Sequence, residues 1–177
     1  MPDLDPRLLD LLDRQAIWQV LLRYSRGIDR CDRALLASCY HDDAIDDHGV
    51  FVGTRDAFID WAIPYHEQLF TAHHHGLSNH FCEIDGDVAY GETYYHFFGV
   101  TRDGPYSLAM GRYVDRFERR GGEWRIAARV CVTEMVADLP PSGIPAQWAD
   151  ALFASGPVAR NRTDISYARP LTPRSLA

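Results

Sequence analysis

The chain has 177 residues, of which 46% are hydrophobic and 12% aromatic, enough apolar material to bury the core of one domain. A net charge of −7 leaves no surplus of Lys and Arg to neutralise phosphates, which argues against a nucleic-acid partner. No apolar run reaches the roughly 18 residues of a membrane span, and the acidic start MPDLDPRLLDLLDRQ lacks the basic and apolar regions of a signal peptide, so no membrane partner is expected and a cytoplasmic location is.

Residues 6–26 read as an amphipathic helix. Leu8, Leu11, Leu12, Ile17, Val20, Leu21 and Tyr24 recur at helical spacing, and Gly27 is a natural stop. Asp32 can cap a second helix over 33–40. Short strands are expected around 44–47 and 50–52, and Thr54 can cap a third helix running to about His66. The period then changes. Residues 77–84, 87–100, 106–119 and 123–137 alternate or run apolar, and Asp85-Gly86, Asp103-Gly104 and Gly121-Gly122 are turn signals between them. Residues 145–154 can form a last short helix, and the tail from Gly156 is irregular and suited to docking on the surface or on a neighbour. Helices followed by a run of antiparallel strands predict an α+β fold, with helices packed on a strongly curved sheet and a cavity between the layers. The four cysteines, Cys31, Cys39, Cys82 and Cys131, are widely spaced and read as reduced, buried small hydrophobes.

Several residues have chemistry to offer. Asp29 follows Ile28 just past the first helix, where a carboxylate can point back under the helices or simply serve as a cap or surface acid. His73, His74 and His75 are consecutive at a strand start. On extended backbone His73 and His75 share one face and His74 takes the other. A general base, hydrogen-bonded structural imidazoles, and a metal site all fit this run, although no H-E-x-x-H, facial-triad or cysteine-pair spacing supports a metal. In the strand beginning at Tyr90, Glu92, Tyr94, His96 and Phe98 share one parity, and Tyr94 and His96 can either orient a ligand or face water. Arg129 lies mid-strand among small neighbours, suited to a buried ion pair or to binding an oxyanion. No G-x-S-x-G, G-x-G-x-x-G or phosphate-loop pattern occurs, so nucleophilic serine, dinucleotide and nucleoside triphosphate chemistry have no support.

The order of motifs carries a resemblance. Y24-x-x-G-I-D29-x-x-D32 is followed by D42-D43-A44, G49-x-F51-x-G53, H75-G-L-S-N79, E83-I-D85-G86-D87, R112-Y-x-D115-x-F117-E118 and G122-x-W124-R-I-x-x-R129. This resembles the SnoaL-like branch of the nuclear transport factor 2-like superfamily over residues 10–137. A single domain over 1–177 is expected, with its C-terminal helix and tail over 138–177. The resemblance implies a cone-shaped α+β barrel of cystatin-like form. It is strongest to the cofactor-free lyases of the scytalone dehydratase, bile-acid 7α-dehydratase and hexachlorocyclohexane dehydrochlorinase type.

In those lyases the Asp after the first helix and the His opening a long strand form the catalytic pair, which maps onto Asp29 and His75, with His74 the nearest rival for the base. Tyr24 matches an assisting tyrosine, and Arg129 a pocket-lining arginine. Tyr40, Phe51, Trp61, Phe70, His74, Tyr94, His96 and Phe98 complete the expected lining. The implied reaction eliminates water, halide or formaldehyde from an aromatic or polycyclic substrate, with no metal or organic cofactor. An isomerase or cyclase using the same pair, and a non-catalytic small subunit or ligand-binding module, are the alternatives. Relatives form dimers or trimers, so a homo-oligomer is expected.

Overall fold

A computed structural model describes residues 5–140, 143–145, 148, 151–152, 154–155 and 158–174. Among these residues three α-helices pack on one six-stranded mixed sheet that curves without closing, so the expected cone is an open one. Helix α1 spans Pro6–Asp29; Asp5 caps it by accepting from the Arg7 N–H, and Pro6 occupies a first-turn position that needs no donor. Its stripe Ile17, Val20, Leu21, Tyr24 and Ile28 is buried, whereas Leu8, Leu11 and Leu12 in the first turns are exposed. The stripe read from the sequence is therefore covered only along its second half.

Gly27 does not end α1. The helix runs on to Asp29, and Gly27 is there for space: a Cβ at this position would lie 2.9 Å from the Leu36 main-chain nitrogen. Helix α2, Arg33–Ala37, is thereby pressed against α1. Asp32 caps it by accepting from the Leu35 N–H, as its sequence suggested. It stops short of residue 40 because Tyr40 already opens strand β1, Tyr40–Asp47. A hairpin leads to β2, Val52–Thr54, where Thr54 caps helix α3, Arg55–Leu69.

Strands β3 (Phe70–Asp85), β4 (Val88–Thr101), β5 (Tyr106–Arg120) and β6 (Glu123–Leu139) form the long meander. The sheet order is β2-β1-β6-β5-β4-β3, with β1 parallel to β6 and the other pairs antiparallel. Strand β3 begins well before the expected residue 77 and takes in all three histidines. Register shifts interrupt the ladders at Leu77/His80, Met110/Gly111 and Arg116/Phe117, and such bulges bend a sheet and raise its twist. The concave face closes over α1 and α3, where Ile17, Leu21, Tyr24, Phe58, Ile59, Tyr113, Phe117 and Ile126 form the core.

The helix expected over 145–154 lies largely outside the described residues. From 158 to 174 the tail docks on the chain itself. Arg162 and the Tyr167 hydroxyl both reach Asp32, Arg160 donates to the His66 carbonyl, and Arg26 lies over the Tyr167 ring. No helix among the described residues is long and apolar enough to cross a membrane.

Candidate active site

Asp29 is the last residue of α1, where the helix dipole disfavours a carboxylate. Donors from β3 offset that cost. The Asp29 carboxylate accepts the His75 main-chain N–H at 3.0 and 3.1 Å and the His75 Nδ1–H at 2.7 Å. A carboxylate only accepts, so Nδ1 carries a proton, and in the neutral imidazole Nε2 is the atom with the lone pair. His75 lines a cavity of about 480 Å³, within the range of small-molecule pockets.

Two further imidazoles flank His75. The His66 Nδ1–H donates to the Ala62 carbonyl at 2.8 Å, and its ring centroid is 5.8 Å from that of His75. Burial, reinforced by His75 and His73 nearby, lowers the His66 pKa to about 2, so it lines the cavity as a neutral ring. The His73 Nε2–H donates to the Ile28 carbonyl at 3.2 Å, and Nδ1 lies 3.4 Å from Arg160. Burial brings its pKa to about 4 despite the Asp29 charge. His73 thus ties the end of α1 and the C-terminal tail to β3.

A second Asp–His pair serves the same cavity. Strand β1 turns Ala44 and Asp46 inward, and His48 follows in the hairpin. Asp46 is wholly buried and accepts from the Tyr40 hydroxyl at 2.6 Å and from His48 Nδ1. His48 Nε2 lies 3.4 Å from the Tyr24 hydroxyl, and its ring stacks on Phe58 and lines the cavity. Burial alone would lower its pKa. Hydrogen bonds to Asp46 and Cys131, with the Asp46 charge, outweigh burial and hold it at about 9.

The SnoaL-like domain pattern matches residues 9–130. The chain belongs to this family. Among solved structures, LinA is 25% identical with a TM-score of 0.72, over 78% of this chain and 95% of that one. A scytalone dehydratase-like protein from Novosphingobium aromaticivorans is 21% identical with a TM-score of 0.68, over 77% and 97% of the two chains. A protein of unknown function from Mycobacterium tuberculosis is 25% identical with a TM-score of 0.67 and extends over 97% of this chain and 98% of its own. No curated protein matches the chain.

On this SnoaL-like frame the residues expected from sequence separate into three groups. Asp29, His75 and Trp61 come together at the cavity, as does Phe70. Tyr24 and Tyr40 lie beneath it, fully buried, with their hydroxyls turned to His48 and Asp46 respectively. Phe51 stacks on Trp61, 5.1 Å between centroids, and supports the lining from behind.

The third group faces elsewhere. Tyr94, His96 and Phe98 lie on the outer face of β4, and His74 stacks on Phe98 there. The inward parity is Thr93, Tyr95 and Phe97, with Gly99 making room for the Phe70 ring: a Cβ at Gly99 would lie 2.5 Å from Phe70 Cδ1. Arg129 also misses the cavity. It is 1% exposed, forks onto Asp115 at 2.7 and 2.8 Å, and lies over the Tyr24 and Tyr113 rings.

The sequence reading missed Asp46, His48, His66, Tyr95, Phe97, Tyr113 and Thr133. Period-two alternation through Ala44, Asp46 and His48 was the available signal for the second pair, and His66 continues the buried α3 stripe of Ile59, Ala62 and Ile63. All four cysteines are free, with Cys39 and Cys82 buried. Cys31 and Cys131 are only half-buried, and Cys131 lines the cavity. Among the described residues no group of three His, Cys, Asp or Glu side chains is arranged to hold a metal ion.

Proposed function

We propose that this SnoaL-like chain is a cofactor-independent lyase. His75, oriented by Asp29, removes a proton from a carbon of an aromatic or polycyclic substrate so that water or halide leaves from the neighbouring carbon, or removes it from a substrate hydroxyl so that formaldehyde is released and the electron pair of the broken carbon–carbon bond stays on the substrate. The observation that carries this reading is the 2.7 Å Nδ1–Oδ1 bond, which commits His75 Nε2 to the role of acceptor in an apolar cavity. An oriented base facing a cavity favours this reading over a ligand-binding module or a small subunit. The rings of Phe58, Trp61, Phe70, Tyr95, Phe97 and Tyr113 favour a flat apolar substrate. Likeness to LinA, and to a hexachlorocyclohexane dehydrochlorinase at 21% identity, supports elimination over isomerisation. Exposed Tyr90, Tyr94, Phe98, Val114 and Val130 on the outer sheet face support a homo-oligomer.

The test is a panel of hexachlorocyclohexane and of benzylic and polycyclic alcohols, read by chloride release and by loss of mass. The wild type is expected to eliminate from at least one of them. His75→Ala and Asp29→Asn, both folded, are expected to fall by about 10²–10⁴-fold. Wild-type turnover in both variants ends the reading, and a product of unchanged mass makes the chain an isomerase.

A further inference from the structure

We propose that His48, clamped by Asp46, is the acid of this cavity: a cationic imidazole that binds the leaving group as it becomes an anion and, where that group is hydroxide, gives it the Nε2 proton. The proposal rests on the lyase reading of His75 and assigns the other half of that reaction to a residue outside the Asp29 pair.

The first argument is charge. Two carboxylates lie in the interior behind the cavity, Asp46 at 0% and Asp115 at 2% exposure. Arg129, paired with Asp46 in the β1–β6 register, supplies one positive charge and spends its bidentate fork on Asp115. Buried charges persist when they are matched. The Tyr40 hydroxyl gives Asp46 a hydrogen bond but no charge. The remaining partner of Asp46 is His48, and a protonated His48 brings this cluster to neutrality.

The second argument is surroundings. Groups facing His48 come from five elements: Tyr24 on α1, Asp46 on β1, His66 on α3, Tyr113 on β5 and Cys131 on β6; Arg129 lies behind Tyr24 and Tyr113. Burial pushes the Tyr24 and Tyr113 phenols up, and His66 is held neutral. Asp46 is the nearest full charge, and it favours the imidazolium.

The third argument is access. His48 Nδ1 is committed to Asp46, so Nε2–H is the donor left for a ligand. Its present neighbours are the Tyr24 hydroxyl, 3.4 Å away and beyond the 2.7–3.2 Å of a strong bond, and the Cys131 sulfur, a weak acceptor. A leaving oxygen or halide in the cavity can displace them.

The step then balances. His75 Nε2 takes the proton, and the C–H electron pair becomes the new carbon–carbon double bond. A hydroxide departs with the electron pair of its own bond and takes the proton from His48 Nε2, leaving as water; a halide departs with its electron pair as the anion, held by the His48 Nε2–H. His75 ends as imidazolium, His48 ends as neutral imidazole where water leaves and stays charged where halide leaves, and exchange with solvent restores the starting state.

Two measurements test this without any turnover. Histidine side-chain NMR, assigned through His48→Gln, is expected to show His48 still protonated above pH 8, with its titration midpoint falling toward the ordinary value in Asp46→Asn. The anionic probe is 4-nitrophenol, whose phenolate is coloured. It is expected to bind as the phenolate near neutral pH, at least about tenfold more tightly to wild type than to His48→Gln, the size of one charge-assisted hydrogen bond. Asp29→Asn is expected to retain that binding, so failure of the base and failure of the acid are separately visible. A His48 that titrates near pH 6.5 or below overturns the proposal. So does phenolate binding that is absent from the wild type or unchanged in both His48→Gln and Asp46→Asn.

Discussion

Arg129 and Asp115 meet in a two-pronged ion pair, Nε to Oδ1 at 2.7 Å and Nη2 to Oδ2 at 2.8 Å, with neither side chain exposed to solvent. The guanidinium also lies over both the Tyr24 and the Tyr113 ring, 4.1 and 4.0 Å from their centroids. The pair therefore sets the floor on which the Tyr24 and His48 end of the cavity rests. Removing one partner leaves a buried charge without its match. Arg129→Met is expected to cost about 3–5 kcal/mol in urea unfolding, and Arg129→Met with Asp115→Leu is expected to recover most of that. A single-variant loss below about 1 kcal/mol would show the pair to be dispensable.

Stability should depend on pH through the histidines, with opposite signs on the two sides of about pH 6.5. His66 and His73 have folded pKa values lowered to about 2 and about 4, chiefly by burial, and burial shifts His41 and His80 downward too. Their neutral forms belong to the folded state. That stability is present above pH 6.5 and is lost as pH falls below it, because the unfolded chain then takes up more protons. His48 is the reverse: held at about 9, it contributes fully below pH 6.5 and the contribution fades as pH rises through about 9. The expected profile is a dome near pH 6.5, steeper on its acid side, with each unmatched proton worth about 1.4 kcal/mol per pH unit. Urea midpoints from pH 4.5 to 9 measure it. His66→Gln should soften the acid limb and His48→Gln the alkaline limb; unchanged limbs would remove these residues as the cause.

Gly27→Ala separates helix propensity from packing. Alanine is favoured in a helix interior by about 1 kcal/mol, and on that ground the substitution stabilises. The Leu36 main chain leaves no room for the added methyl, so a net loss of about 1–3 kcal/mol in thermal or urea unfolding is expected, with α2 displaced from α1. A gain in stability would mean that α2 shifts at no cost.

The α+β class, the caps at Asp32 and Thr54, and the four long strands were legible because they depend on local period and turn chemistry. The faces of the strands were less so. Alternation correctly divided β4 into two sets of side chains, yet nothing in the spacing says which set is inside, and the Tyr94, His96 and Phe98 set is the outer one. In β6 the ladder skips a residue between Ile126 and Ala128. Ile126 and Ala127 are consequently both buried, and Arg129 shares the inner face with Trp124 despite its opposite parity. A bulge of this kind depends on the neighbouring strand and leaves no mark in its own sequence. Asp29 and His75 are 46 positions apart, and only the order of motifs linked them. Asp46 and His48 are two apart and went unremarked, because a polar hairpin ordinarily reads as solvent-facing.

The position of β6 has a consequence for how the cavity comes into being. His75 belongs to the β3–β4–β5 meander, which joins neighbours in sequence. His48 belongs to the β1–β2 hairpin, which among the described residues is fastened to the rest of the sheet by β6, a strand made after β3, β4 and β5. A growing chain can assemble the half of the cavity that holds His75 while the half that holds His48 still has no strand to lean on. The two histidines face a common space only once β6 slides between β1 and β5, so a truncated or half-made chain carries no complete site.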